Sequence, residues 1–141
     1  LQELAMQYKT NQQLKQKIEA LGEIYLAEGD TLLHGDYYPG SWLKTNKGLM
    51  VIDPEFAFYG RPEFDFAVLN AHLHLAQQSQ QVFNEIHANY QKPTNFDDLL
   101  FKQLTGIEIM RRIIGLAQLP LSLNLTEKQT LLEEAAAMIA A

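Results

Sequence analysis

The strongest constraint on the fold lies in residues 32–55, where a tight turn is followed at once by a short hairpin. Two apolar runs, residues 42–45 and 49–52, flank a polar loop that ends in Gly48. Runs of this kind, separated by three residues that include a glycine, predict a β-hairpin. The turn in front of it, residues 34–36, reads His-Gly-Asp. An imidazole and a carboxylate therefore lie just before the first strand.

The register of this hairpin decides which side chains meet at its open end. If Thr45 pairs with Leu49, Ser41 lies opposite Asp53, and cross-strand partners lie within about 5 Å of each other at Cβ. A two-residue loop would move this pairing by one position. In the first register a hydroxyl and a carboxylate converge in front of Asp36. Such oxygen ligands suit Mg²⁺, which takes one or two carboxylates together with substrate phosphates.

Three motifs in this chain resemble known kinase families. Residues 34–36 with residues 39–41 resemble the catalytic loop of the aminoglycoside phosphotransferase and choline kinase-like families, which are relatives of the protein kinases. Residues 52–60 resemble the metal-binding segment of methylthioribose kinases. Residues 109–117 resemble the arginine pair on the substrate side of that family. The resemblance covers residues 32–119.

The resemblance implies a role for each polar residue around the hairpin. Asp36 would be the catalytic base, because the corresponding Asp of protein kinases receives the proton of the substrate hydroxyl. Asp53 would bind Mg²⁺ and the nucleotide, with Glu55 as a second carboxylate; the alternative for Glu55 is a solvated loop residue. Ser41 stands where most of the superfamily carries Asn. It would assist nucleotide and metal binding, or it merely begins a strand.

Supporting roles follow from the same resemblance. His34 would satisfy a carbonyl of the turn rather than take part in the chemistry. Asp65 would brace the catalytic loop, and the alternative for it is a simple acidic residue in the first turn of a helix. Arg111 and Arg112 would bind the acceptor substrate.

A helical projection distinguishes the two arginines. Arg111 falls inside the apolar stripe of the helix predicted for residues 96–119, so it needs a carboxylate partner or an open cleft, because an unpaired buried charge is very costly. Arg112 projects to the side and follows Glu108 by four residues. Its alternative is a surface ion pair, which contributes only about 0.2–0.5 kcal/mol.

The remaining sequence predicts a single, mainly α-helical α+β domain over residues 1–141, the C-terminal lobe of a protein kinase-like fold. The first helix has a polar stretch at residues 10–13, and residues 126–129 match a capping box. Apolar periodicity and capping signals predict helices over residues 1–28, 62–77, 79–90, 96–119 and 126–140.

Composition restricts the partners of this domain. The formal net charge is −6, and no cluster of Lys and Arg is present, which disfavours binding to nucleic acids or to a membrane surface. No apolar run approaches the roughly 20 residues of a spanning helix, and no signal peptide is visible. The chain also has no cysteine. These features predict a cytoplasmic protein, and the resemblance implies that its partner is a small molecule.

We therefore expect an ATP- and Mg²⁺-dependent phosphotransferase that transfers the γ-phosphoryl group to an alcohol, such as that of the sugar methylthioribose. Aminoglycoside-type or choline-type specificity would use the same machinery, and a non-catalytic pseudokinase or helical interaction module stays open. No glycine-rich turn or ATP-binding Lys of an N-terminal lobe precedes His34, and the chain begins at Leu1 without Met. The sequence thus predicts a fragment that is inactive alone.

Overall fold

The computed structural model describes all 141 residues. The chain forms six α-helices and two small antiparallel sheets, which confirms the predicted fold class of a mainly α-helical α+β lobe. The elements follow in the order α1 (Gln2–Lys9), α2 (Gln12–Leu26), β1 (Thr31–Leu33), a 3₁₀ turn (Pro39–Ser41), β2 (Trp42–Thr45), β3 (Gly48–Val51), β4 (Phe58–Gly60), α3 (Glu63–Leu75), α4 (Gln80–Asn89), α5 (Asp98–Ile113) and α6 (Leu125–Ala140).

Helix α5 lies at the centre of the core, between α3 and α6. Its inner side chains pack into one continuous apolar cluster with those of its two neighbours, and Ile109, Leu132 and Ile139 are completely buried there. Because α5 is covered on two sides, its buried surface is wider than one stripe. No helix is long and apolar enough to cross a membrane.

The helix boundaries differ from the sequence predictions at three places. The first helix is divided, because Asn11 accepts a hydrogen bond from the first turn of α2 and starts a new helix. Helix α5 ends at Ile113, before the amide of Gly115 bonds back to its last turn. The capping box of α6 consists of Asn124 and Glu127, two residues earlier than predicted.

A sheet that the sequence did not predict positions the turn at residues 34–36. Strand β4 pairs with β1 in antiparallel register, Thr31 with Gly60 and Leu33 with Phe58. This pairing brings the turn that follows β1 close to the segment that precedes β4.

The predicted hairpin forms, but its favoured register is wrong. Strand β2 pairs with β3 through Thr45 and Gly48, so the loop has two residues. The Thr45 hydroxyl closes this loop by donating to the Gly48 carbonyl at 2.8 Å and accepting from the Lys47 amide at 3.1 Å. Gly48 has a φ of 109°, which favours glycine. Ser41 consequently lies opposite Ile52, whose amide donates to the Ser41 carbonyl at 2.9 Å.

Candidate active site

The turn at residues 34–36 is fixed from behind by Asp65, in the first turn of α3. One Asp65 carboxylate oxygen accepts from the His34 amide at 2.6 Å and the other from the Gly35 amide at 3.0 Å. Burial raises the pKa of Asp65 despite these two hydrogen bonds. Gly35 has a φ of 87°, and a Cβ there would lie 2.2 Å from the Phe56 carbonyl oxygen. Only glycine fits this turn.

Both ring nitrogens of His34 bond to the backbone. Nδ1 accepts from the Asp36 amide at 3.3 Å, so the ring proton is on Nε2, which donates to the Ile52 carbonyl at 2.9 Å. His34 therefore ties the turn to the residue immediately before Asp53. This arrangement gives the imidazole a structural task and leaves neither nitrogen free for a reacting group.

Ser41 is buried at the end of the 3₁₀ turn, with 5% of its surface exposed. Its hydroxyl donates to the Asp36 carbonyl oxygen at 2.8 Å. The shifted hairpin register means that Ser41 does not lie directly opposite Asp53, because each cross-strand pair moves by one position. The Ser41 proton is thus used within the turn, and its role in nucleotide or metal binding stays a prediction.

Asp53 and Glu55 lie in the exposed segment after β3. Neither carboxylate accepts a hydrogen bond or forms an ion pair within the chain. Asp53 has a φ of 66°, the left-handed region that only a few non-glycine residues adopt. Backbone strain of this kind concentrates at functional sites. No group of three or more His, Cys, Asp or Glu side chains is arranged to bind a metal by itself. Two free carboxylates nevertheless fit Mg²⁺, which completes its shell with water and phosphate oxygens.

The Asp36 carboxylate is held by Arg112 of α5. Arg112 Nη2 donates to Asp36 Oδ1 at 2.7 Å, and Arg112 Nε donates to Glu108 Oε1 at 2.6 Å. Arg112 is 7% exposed, so the alternative of a surface ion pair with Glu108 is wrong. The pair exists but is buried, because the wide buried side of α5 includes this position. Asp36 Oδ2 has no partner within the chain.

Arg111 occupies the border of α5 rather than its buried stripe. Its side chain is 42% exposed, which corrects the placement predicted from the helical projection. Arg111 Nε and Nη2 donate to Glu108 at 2.7 and 3.1 Å. Arg111 therefore has both a carboxylate partner and an open cleft, the two environments that the sequence treated as alternatives.

Glu108 is the site residue that the sequence analysis missed. It was considered only as a surface partner of Arg112, yet it is 4% exposed and contacts both arginines. Burial alone would raise its pKa, but the hydrogen bonds from Arg111 and Arg112, together with the nearby His72 ring, outweigh burial and lower the pKa from 4.5 to about 2. One signal in the sequence was available: Glu108 lies three residues before Arg111 and four residues before Arg112.

These groups line one end of a cleft of about 510 Å³ between α2, α3 and α5. Asp36, Glu108, Arg111 and Arg112 form the charged end, and the remaining walls are mostly apolar. Tyr25 and Phe64 lie on these walls, and so does Phe56 from the segment after Asp53. The cleft thus offers hydrogen-bonding groups at one end and a surface for apolar atoms at the other.

The sequence model of the phosphotransferase enzyme family matches residues 2–99 of this chain. Several curated proteins are similar to it. The methylthioribose kinase of Exiguobacterium sibiricum is 44% identical over 45% of the chain and 16% of the relative. That of a Geobacillus species is 33% identical over 66% of the chain and 31% of the relative. Methylthioribose kinase 1 of Oryza sativa is 41% identical over 48% of the chain and 16% of the relative. The chain spans less than a third of each of these relatives.

Proposed function

Because the chain belongs to the phosphotransferase enzyme family, we propose that it forms the acceptor-binding, C-terminal lobe of a small-molecule kinase. The proposed reaction transfers the γ-phosphoryl group of ATP to an alcohol. One observation carries this proposal: the Asp36 carboxylate lies at the charged end of the cleft, with Oδ1 fixed by Arg112 and Oδ2 without a partner. An oxygen in this state is suited to accept the proton of a bound hydroxyl.

Asp36 acts here mainly by position. In phosphoryl transfer the phosphoryl group is only loosely bonded in the transition state, so an aligned nucleophile matters more than a strong base. Catalysis therefore depends on orientation and on charge stabilisation. The brace from Asp65 and the ion pair with Arg112 keep the carboxylate in place before the acceptor arrives. The rigid surroundings of Asp36 support this role.

Asp53 and Glu55 are the residues that would bind Mg²⁺ together with the ATP phosphates, and Ser41 is a further candidate oxygen ligand. The bound ion would neutralise charge on the phosphates during transfer. The free carboxylates after β3 support this assignment, since they have no partner within the chain.

A nucleotide-binding lobe on the N-terminal side would complete this enzyme. The segment before the catalytic loop forms α1, α2 and β1, none of which resembles a glycine-rich phosphate cover. The isolated chain of 141 residues should therefore show no turnover. The full-length protein is the form in which activity is to be measured.

A hydroxyl of a sugar such as methylthioribose is the acceptor that the cleft supports best. Sugar hydroxyls can bond at the charged end while an apolar substituent packs on the walls. Cationic acceptors of the aminoglycoside or choline type fit less well, because Arg111 presents a half-exposed positive charge and Glu108 is already neutralised by two arginines. The similarity to curated methylthioribose kinases supports the same choice.

The test is acceptor-dependent ADP formation by the full-length protein with ATP and Mg²⁺, using methylthioribose, an aminoglycoside and choline in parallel. The proposal predicts turnover with the thiosugar and little or none with the two cations. Turnover with choline or the aminoglycoside alone would reject the acceptor class. Absence of turnover with every alcohol, despite normal ATP binding, would reject the enzyme and favour a non-catalytic module.

Gly22 allows the cleft itself to be tested. Gly22 lies inside α2 and lines the cleft, and a Cβ added there would meet nothing within 4 Å. Gly22→Leu should therefore fill part of the cleft and raise the acceptor KM about tenfold or more, without lowering stability, because leucine is the better helix former by up to about 1 kcal/mol. Gln16→Leu, exposed on the same helix and outside the cleft, is the control. An unchanged acceptor KM in Gly22→Leu would place the acceptor elsewhere.

A further inference from the structure

The two arginines at the charged end share a single buried carboxylate. Glu108 Oε1 accepts from Arg112 Nε at 2.6 Å and from Arg111 Nη2 at 3.1 Å, and Oε2 accepts from Arg111 Nε at 2.7 Å. Arg111 is thus bound through two adjacent donors, a fork that fixes the plane of its guanidinium. Glu108 determines the orientation of both cations.

This arrangement decides which donors stay available. With its Nε on Glu108, Arg112 directs Nη2 to Asp36 Oδ1 at 2.7 Å. With Nε and one N–H of Nη2 on Glu108, Arg111 keeps Nη1 and the second N–H of Nη2 free at the border of the cleft. Each guanidinium therefore has one part fixed by Glu108 and another part directed to the site.

The charges of the cluster explain why Glu108 is needed. Asp36 and Glu108 carry two negative charges, and Arg111 and Arg112 carry two positive charges. Without Glu108, two neighbouring cations would compete for the single carboxylate of Asp36, and Arg112 would be buried with only one partner. The Asp36 carboxylate would then no longer have one defined ion pair.

We infer that Glu108 is a positioning residue of the phosphotransfer site: it orients Arg112 so that Arg112 fixes the Asp36 carboxylate, and it holds Arg111 toward the acceptor. The inference depends on the proposed role of Asp36. Glu108 does not touch the reacting atoms, and its effect passes through the two guanidiniums. His72 lies behind it, with Nε2 at 3.8 Å from Oε1, and Tyr38 stacks on the His72 ring at 4.2 Å.

Glu108→Gln in the full-length protein tests the inference because it keeps the size of the side chain, removes its charge and replaces one acceptor oxygen by a donor. Misplacing Asp36 by about 1 Å should lower kcat about 10²-fold. The acceptor KM should also rise through Arg111, whereas the KM for ATP should stay within about twofold of the wild type. An unchanged kcat in a folded Glu108→Gln variant would overturn the inference.

A double-mutant cycle with Asp36→Asn distinguishes positioning from general structural support. If Glu108 acts through Asp36, Glu108→Gln should lower the residual kcat of the Asp36→Asn enzyme by less than about threefold, since the group being positioned is already absent. The same loss in both backgrounds would make Glu108 merely structural and would overturn the inference.

Two further variants keep the test decisive. Glu63→Gln is the matched control, because Glu63 is also a fully buried carboxylate that holds an arginine, Arg61, at 3.2 Å but lies outside the cleft. It should lose stability with kcat of the folded enzyme unchanged. If Glu108→Gln does not fold, Glu108→Asp replaces it, since the shorter side chain keeps the charge but cannot reach both arginines equally. Glu108→Asp should show the same lowered kcat and the same cycle, and wild-type kcat in this variant would overturn the inference.

The same measurements distinguish a failure of the proposed function from a failure of the positioning role of Glu108. Absence of acceptor-dependent turnover in the wild type would overturn both the function and the role of Glu108. Turnover that requires Asp36 but is insensitive to Glu108→Gln would leave the function intact and overturn the positioning role alone.

Discussion

The catalytic loop, residues 34–41, and the neighbouring segment, residues 53–55, are held in opposite ways. The loop is bonded through its amides to Asp65, and its one carboxylate is paired with Arg112. The second segment is exposed, its two carboxylates have no partner, and Asp53 has a left-handed backbone. Both segments have roles in the proposed reaction, but the chain itself supplies partners only to the carboxylate of the loop.

Under the proposed function, this difference indicates which half of the reaction the chain would organise alone. An acceptor hydroxyl needs a fixed carboxylate, and the structure provides one before any ligand binds. A metal and nucleotide bring their own charge, and the carboxylates that would receive them are left free. We therefore expect substitutions around the loop to affect stability and turnover together, and substitutions at residues 53–55 to affect only nucleotide binding.

Arg112→Met should produce the largest effect. It leaves Glu108 and Asp36 without a buried partner, and breaking a buried ion pair in this way costs about 3 to 5 kcal/mol of unfolding free energy. Urea unfolding of the variant measures this loss, and turnover should fall as well. A loss below about 1 kcal/mol would show that the loop is not held by this pair.

Arg111→Met is the matched comparison on the adjacent residue. Since Arg111 is half-exposed and Glu108 keeps Arg112, the variant should lose no more than about 1 kcal/mol. Its acceptor KM should rise while ATP affinity is unchanged. A destabilised variant with normal acceptor kinetics would make Arg111 a structural residue.

Acid should lower the free energy of unfolding through protonation of Glu108. Its pKa of about 2 in the folded chain lies below the ordinary value of 4.5, so its ionised form contributes stability that is complete above about pH 4.5 and is lost as the pH falls toward 2. A shift of this size corresponds to about 3 kcal/mol.

The measurement is the difference in unfolding free energy between wild type and Glu108→Gln. This difference should narrow by about 3 kcal/mol between pH 6 and pH 2, because the variant has no titrating group at this position. Carboxylates outside the cluster of Asp36, Glu108, Arg111 and Arg112 titrate equally in both proteins and cancel. A difference that does not change with pH would contradict the assigned environment of Glu108.

Substitutions at residues 53–55 should change nucleotide binding more than stability. Asp53→Gly and Asp53→Ala both remove the carboxylate, but glycine tolerates a φ of 66° and alanine does not. Asp53→Gly should keep or slightly raise stability, Asp53→Ala should be less stable than Asp53→Gly by about 1 kcal/mol, and both should lose Mg²⁺-dependent nucleotide binding in the full-length protein. Normal Mg²⁺ dependence in either variant would remove Asp53 from the metal site.

Local sequence patterns were sufficient to predict the elements of this site. The order of a turn, a hairpin and a strand end placed Asp36 near Asp53, and helical periodicity predicted α3 to α6 with errors mainly at their ends. The family resemblance was confirmed, and so was the mainly α-helical α+β lobe. These features depend on residues close together in the chain.

One error was local, and the others arose where distant segments determine the result. The hairpin register depended on whether Gly48 belongs to the loop or to the strand, a choice that one hydroxyl of Thr45 decides. The helical projection placed Arg111 in the buried stripe and Arg112 at the side, whereas Arg112 is buried and Arg111 is half-exposed. A projection of α5 alone cannot show that two helices cover it. Glu108 was missed for the same reason, since it reaches the loop only through Arg112, whose contact with Asp36 spans 76 residues of the chain.

Turnover and ATP binding of Asp36→Asn in the full-length protein test the central claim most directly. The variant keeps the shape of the side chain but removes the charged acceptor of the hydroxyl proton. We predict a fall in kcat of about 10²- to 10⁴-fold, with the dissociation constant of Mg²⁺–ATP within about twofold of the wild type. Near wild-type kcat with normal ATP binding would contradict the claim that Asp36 organises phosphoryl transfer to the acceptor.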